Sequence, residues 1–445
     1  MQKSILSIIS LLTFSYLNLS AQLYFPPTDS EVWETTDPST FNWDEDRINE
    51  LYDFLEGSNT KAFILLKDGK IVLEQYFNEH DVNANWYWAS AGKTLTAFMV
   101  GIAQQENLLA IEDSTSDYLG MGWTSCTPEQ EAQITIRHQL TMTTGLDDQV
   151  DVGCTEPSCL QYKAAAGTRW SYHNAPYTLL TNVVENATNL NFNLYINQKL
   201  KGITGMNGGF LQQESNRVYF STARSMARFG LLILNNGNWA ATPILSDMDY
   251  LTDMLQPSQQ INNSYGYLWW LNGQDSYMLP QSQIVFNGNL LLNAPADTKM
   301  ALGKNGQFIN VVPSRNMVWI RMGEAPDGSL VPYTLNDEIW GYINQLEGTS
   351  LAIDLEEDET EIPTEEKVMA VQPNPAKDEI TIELPKSVQS AQVQLYIYNA
   401  VGNLIEIIQP ASRQAVVALS NYQAGSYFVC MKSPTGQQIL RFIKM

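Results

Sequence analysis

Apolar and polar positions follow several distinct rhythms along the 445 residues. From 43 to 55, Ile48, Leu51, Tyr52 and Leu55 recur at helical spacing and predict an amphipathic helix. Residues 62–66 and 71–73 are apolar runs on either side of Lys67-Asp68-Gly69-Lys70, the pattern of a hairpin closed by an Asp-Gly turn. Helical periodicity returns at 94–105, 177–185 and 222–234, separated by Gly- and Asn-rich loops, and strand patterns reappear at 308–312 and 317–322. Strands at both ends with helices between predict one α+β domain whose sheet unites the two ends.

The rhythm breaks between 350 and 368. Asp354, Glu356, Glu357, Asp358, Glu359, Glu361, Glu365 and Glu366 repel one another and Pro363 interrupts any helix, which predicts a solvated acidic linker. Beyond it, short β patterns at 380–384, 393–398, 405–408, 416–419, 426–431 and 438–443 predict a small β-sandwich. At the other end Met1-Gln2-Lys3 is followed by a mostly apolar run over 5–19 and by Ser20-Ala21-Gln22, the layout of a signal peptide cleaved after Ala21. That run is shorter than the ~20 residues a membrane-spanning helix needs, and no later segment qualifies. The expected divisions are a signal peptide (1–21), an enzyme-sized domain (22–349), the linker (350–368) and the β-sandwich (369–445).

Composition narrows the functions. With 44% hydrophobic and only 16% charged residues the chain is globular, not disordered. Lys and Arg number 25 against 48 Asp and Glu, a net charge of −23 with no dense basic run, so nucleic acid is excluded as a main partner. The three histidines are scattered and no Cys or His pair has zinc-ligand spacing, so neither metal nor cofactor is expected. Cys154 and Cys159 are close enough to close a small disulfide loop, with Cys126 as a competitor, while Cys430 reads as a buried apolar residue.

The sharpest chemical signal lies in Trp86-Tyr87-Trp88-Ala89-Ser90-Ala91-Gly92-Lys93. Ser90 opens a helix and Lys93, three residues later, projects from the same face, so hydroxyl and amine can meet. A serine hydroxyl is a poor nucleophile until a base takes its proton, and a lysine with a lowered pKa can do so. The same spacing at Ser58-Asn59-Thr60-Lys61 warns that the pattern alone is weak. A second element is Tyr172-His173-Asn174: a phenol that can relay a proton and an amide that can orient a ligand. A third is Gly303-Lys304-Asn305-Gly306-Gln307 ahead of the strand at 308–312, where backbone can lie along a bound acyl group. There the Gln307 amide can join that of Ser90 as an oxyanion hole. A Ser-His-Asp triad is the rival mechanism, but Trp88 stands where a nucleophile elbow needs glycine.

Taken in this order and spacing, the three elements resemble the serine β-lactamase and penicillin-binding-protein superfamily. The branch is the one with Tyr-x-Asn as middle motif, which contains class C β-lactamases, D-alanyl carboxypeptidase relatives, esterases and aminohexanoate-oligomer hydrolases. Segments 134–146, 166–172, 221–230 and 265–270 are similar as well, so the resemblance spans about 45–348. It implies an antiparallel sheet flanked by helices with an all-helical subdomain, and an acyl-enzyme at Ser90. Lys93 is then the proton acceptor, Tyr172 its partner in proton transfer, and Asn174, Lys304, Asn305, Gly306 and Gln307 line the substrate site. Asn305 departs from the hydroxyl residue common in penicillin-recognising relatives, which favours an ester or amide in a small or short oligomeric substrate over a lactam. A true β-lactamase or D-alanyl-D-alanine carboxypeptidase is the alternative enzyme, and a catalytically silent surface binding protein the alternative of another class.

Residues 369–445 resemble the C-terminal sorting domain of the type IX secretion system of Bacteroidetes. The carrying features are Val371-Gln372-Pro373-Asn374-Pro375, the strand at 379–385, Tyr398-Asn399-Ala400-Val401-Gly402-Asn403-Leu404, the strand at 425–429 and the ending Arg441-Phe442-Ile443-Lys444. The resemblance implies that the outer-membrane secretion machinery is a partner and that the enzyme acts outside the cell or at its surface.

Overall fold

A computed structural model describes residues 23–346 and 369–444, apart from 31, 152, 327–330, 375, 387, 400–403, 424 and 434–435. The expected signal peptide and acidic linker lie outside the described residues.

Asp44 caps the first long helix, Glu45–Gly57, by accepting from the amides of Asp46 and Arg47, and Ile48, Leu51 and Leu55 form its buried stripe. The expected hairpin follows as β1 (Thr60–Lys67) and β2 (Lys70–Tyr76), joined through Asp68 and Gly69, both with positive φ. Next, β3 (Trp86–Tyr87), β4 (Gly209–Gln213) and β5 (Asn216–Ser221) make a small sheet in the order β3-β5-β4. The short strands β6 (Asn238–Trp239) and β7 (Thr242–Pro243) pair with each other. After β8 (Trp270–Leu271) comes a second such pair, β9 (Ser276–Met278) with β10 (Val285–Asn287). The domain's last strands are β11 (Lys299–Gly303), β12 (Gln307–Val312) and β13 (Met317–Gly323).

The main sheet is antiparallel in the order β2-β1-β13-β12-β11-β8, so the two ends of the domain meet at its middle, with Ile64 opposite Ile320 and Leu65 opposite Trp319. Alternate side chains leave opposite faces. Val318 and Ile309 abut Gly230 of the helix Ala223–Leu234, whereas Trp319 and Asn310 meet Trp340 of the helix Tyr333–Leu346. Covered on both faces, β12 and β13 are buried at every residue, which is why they read as unbroken apolar runs. Between β2 and β11 the longest elements are helices, set among loops and the short strands β3 to β10, and the helix Gly92–Gln105 runs almost wholly buried through that part.

The C-terminal unit has its own core, including Ile380, Ile382, Leu395, Ile397 and Val429. Its strands are β14 (Ala370–Gln372), β15 (Glu379–Glu383), β16 (Gln394–Asn399), β17 (Leu404–Ile408), β18 (Gln414–Ala418), β19 (Gly425–Ser433) and β20 (Gly436–Lys444). They form sheets ordered β14-β15-β18 and β17-β16-β19-β20, adding the short β14 to the six strands expected. Cys154 and Cys159 are disulfide-bonded, Cys126 is a free thiol, and Cys430 is buried. Among the described residues no helix is long and apolar enough to cross a membrane.

Candidate active site

The site begins where β3 meets the buried helix. Trp88 is anchored by its backbone N–H to the Tyr219 carbonyl at 2.8 Å and by its indole N–H to Ser221 Oγ at 2.7 Å. Ala89 follows with φ 46, a left-handed conformation that strains a residue with a Cβ and re-aims the chain. Ser90 then sits in the turn Ala89–Ala91, ahead of Gly92–Gln105, where the first amides have no intrahelical acceptor.

Lys93 reaches back from the helix and its amine hydrogen-bonds Ser90 Oγ at 2.7 Å. The side chain is buried, at 2% exposure, and burial alone holds its pKa well below the usual 10.5. No acid pairs with it among the described residues; it lies instead against aromatic faces, 3.8 Å from the ring centre of Tyr177 and 5.0 Å from that of Tyr172. Tyr172 is buried, which pushes its phenol well above 10, while the Ser90 hydroxyl acts in the opposite direction. Its ring stacks on Trp270 at 6.0 Å and meets Tyr265 edge-on at 6.3 Å, so its position is fixed by packing. Asn174 opens the helix Asn174–Thr188, and its buried amide oxygen has no hydrogen-bond partner. His173 points elsewhere: neither ring nitrogen bonds Ser90.

The opposite bank is built differently from the expected strand. Lys304, Asn305 and Gly306 form a single tight turn between β11 and β12, closed by the pairing of Gly303 with Gln307. Asn305 lies at φ 62 and Gly306 at φ 82. Beneath them Arg321 is fully buried with no acid bonded to it: it donates to the carbonyls of Asn305, Gly306, Ser58 and Glu324 and to Thr60 Oγ1, at 2.6–3.2 Å. Burial lowers its pKa to about 9. The Gln307 side chain is turned into the sheet, bonding the Gly323 amide at 3.0 Å and the Gly323 carbonyl at 2.7 Å, so only its backbone is available to a ligand. Gly303 packs so closely that a Cβ there would stand 2.5 Å from the Trp88 carbonyl oxygen, which brings the turn against the Ser90 segment.

Between the banks lies a cavity of about 830 Å³. Ser90, Lys93, Tyr172, Asn174, Lys304 and Asn305 all line it, as do Val218, Phe220, Leu279, Leu290 and Leu302, so the walls are largely apolar around a few polar groups. Gly306 and Gln307 sit behind this lining. Sequence reasoning missed Tyr177, which its position three residues after Asn174 on one helix face would have revealed. It also missed Arg321 and Glu324, for which no local pattern exists. No group of His, Cys, Asp and Glu among the described residues could hold a metal.

Comparison with known proteins agrees with this architecture. Residues 56–324, more than half of the chain, match the β-lactamase family, and residues 370–445 match the secretion system C-terminal sorting domain. The chain therefore belongs to the β-lactamase family and carries a type IX sorting domain that directs it to the cell surface or beyond. Among solved structures it is similar to a protein assigned as a 6-aminohexanoate-dimer hydrolase from Bacillus anthracis, with 17% identity, a TM-score of 0.55, and coverage of 73% of this chain and 90% of that one. It is likewise similar to a penicillin-binding protein homologue from Caulobacter crescentus, at 10% identity and a TM-score of 0.54, covering 71% of this chain and 99% of that one. The octameric penicillin-binding protein homologue of Pyrococcus abyssi gives 14% identity and a TM-score of 0.51, covering 89% and 99%. At such identities the likeness is one of fold. No curated protein matches the chain.

Proposed function

We propose that the chain is an exported serine hydrolase that forms an acyl-enzyme at Ser90 and acts on an ester or amide with an apolar acyl part. The observation that carries this is the Lys93 amine, buried without a counter-ion and 2.7 Å from Ser90 Oγ. Burial disfavours the charged form of such a lysine, which lowers its pKa and lets the neutral amine accept a proton. Ser90 Oγ attacks the substrate carbonyl carbon and gives its proton to Lys93. As the tetrahedral adduct collapses, the bond to the leaving group breaks and the proton passes from Lys93 through the Tyr172 hydroxyl to that group. Water then attacks the acyl carbon, yields its proton to the same relay and releases the acid, restoring the Ser90 hydroxyl. The Ser90 amide, at the start of the buried helix, is a donor for the oxyanion. Asn174 lines the cavity, where its amide can position a polar group of the substrate.

The test is intact-mass spectrometry of the purified protein after separate exposure to a fluorophosphonate and to a penicillin, with the adduct mapped. Labelling of Ser90 by the fluorophosphonate alone is the expected result. Labelling by both moves the assignment to a penicillin-recognising enzyme, and a folded protein labelled by neither is a binding protein. Ser90→Ala is expected to abolish turnover and labelling while leaving the circular dichroism unchanged.

A further inference from the structure

Position 305 faces the cavity, yet its amide is already spent. Asn305 Nδ2 donates to the Tyr87 hydroxyl oxygen at 2.7 Å and to Glu324 Oε2 at 2.7 Å. An amide nitrogen has two hydrogens, so both are used, and because a carboxylate only accepts, Glu324 fixes which end of the amide faces it. The Tyr87 proton is directed the same way, with both Glu324 oxygens 3.3 Å from the phenol oxygen. Tyr87 and Asn305 line the cavity together, beside Lys304. This stretch of wall therefore offers lone pairs to a ligand, and its one cationic donor is the exposed Lys304 amine. Arg321 lies under the turn, but its donors are taken by carbonyls and Thr60. Its charge offsets part of that of Glu324, so the supply of donors decides.

Resting on the reading that Ser90 is acylated, we propose that Glu324 is a specificity-determining residue: by capturing the Asn305 amide and the Tyr87 hydroxyl it makes the enzyme discriminate against substrates with a carboxylate beside the scissile bond, in favour of uncharged ones. A carboxylate entering the cleft gives up its water and needs several donors in return. At the closing turn its one cationic partner is Lys304, with the Glu324 anion behind Asn305. An uncharged ester or amide loses nothing at this wall, and a substrate N–H or O–H finds acceptors there.

The experiment compares kcat/KM for phenyl phenylacetate and 3-carboxyphenyl phenylacetate, which share an acyl group and differ by one carboxylate, using the full-length wild type, Glu324→Ala and Glu324→Gln. The wild type should prefer the neutral ester by about tenfold or more, the scale on which a site lacking hydrogen-bond partners rejects a polar group. Glu324→Ala frees one Asn305 amide hydrogen and the Tyr87 hydroxyl proton, while the other amide hydrogen stays on Tyr87, and should bring the two rates to within about threefold of each other; Glu324→Gln, which removes only the charge, should lie between. A wild type that prefers the anionic ester overturns the assignment, as does an unchanged ratio in both variants. Fluorophosphonate labelling of Ser90, followed in all three proteins, separates the two levels: a labelled enzyme whose ratio does not move overturns the role of Glu324 alone, whereas an unlabelled wild type overturns the acyl-enzyme reading and this inference with it.

Discussion

The two banks of the cleft face each other across one cavity but are held by opposite means. The Ser90 bank is mounted on a buried helix, and its ionisable groups are surrounded by aromatic rings: Lys93 has Tyr177 and Tyr172 against it, and Tyr172 has Trp270 and Tyr265. The closing bank is three residues of left-handed and tight turn, held from below by a buried guanidinium and from the side by a carboxylate. One bank excludes charge and thereby makes a base; the other is held by hydrogen bonds and thereby fixes a shape. On the function proposed above, the difference means that reactivity and selectivity rest on separate residues and can be perturbed separately.

The strongest way to break the comparison is Lys93→Ala, which should lower kcat/KM by about 10³-fold or more while sparing the fold, since a general base is lost. With Lys93 in place, burial predicts an activity profile whose acidic limb lies well below 10.5: as pH falls the amine takes up a proton and can no longer accept one from Ser90. A pH–rate profile with its acidic limb near 10.5 would refute the dry-bank argument. The same burial has a stability sign. Between the lowered folded pKa and that of the unfolded amine the unfolded chain holds more protons, so stability rises with pH across that window, and Lys93→Met should remove this dependence from urea titrations at a series of pH values. On the closing bank Arg321→Met leaves several buried carbonyls without donors and should cost about 3 kcal/mol or more in urea unfolding, a loss of stability before any loss of Ser90 reactivity. The smallest effect is expected for Asn305→Thr. A β-branched residue at φ 62 should cost about 1–2 kcal/mol of stability, and the hydroxyl it introduces should not bring penicillin labelling, because the turn and Glu324 are unchanged.

The same contrast explains what was legible in the sequence. Ser90 with Lys93, and Tyr172 with Asn174, are each local arrangements beside a helix start, but it was the family resemblance, not spacing, that predicted they would share one cavity. The hairpin at Asp68-Gly69 and the six C-terminal strands were equally local. The closing motif was not: its residues looked like the lead-in to a strand, but their conformation depends on Arg321 beneath and Glu324 beside them, and neither carries a signal near Lys304. Gln307 illustrates the cost, since its side chain serves the pairing of β12 with β13 and leaves only the backbone to the site. Short strands such as β3 and β14 escaped notice because two or three residues are too few to display a period.

The order of strands in the main sheet has a consequence in time. Arg321 donates to a carbonyl 263 residues earlier, at Ser58, and β1 finds its central partner only in β13. Pairings between segments so distant in the chain form slowly, because a long loop must close before any contact rewards it. The closing turn is seated by that last pairing, so a newly made chain, or one refolding after passage through a membrane, has no assembled cleft until its final strands have arrived. The proposed hydrolytic activity should then appear in one step with completion of the sheet, and a shortened chain that ends before β13 should have none.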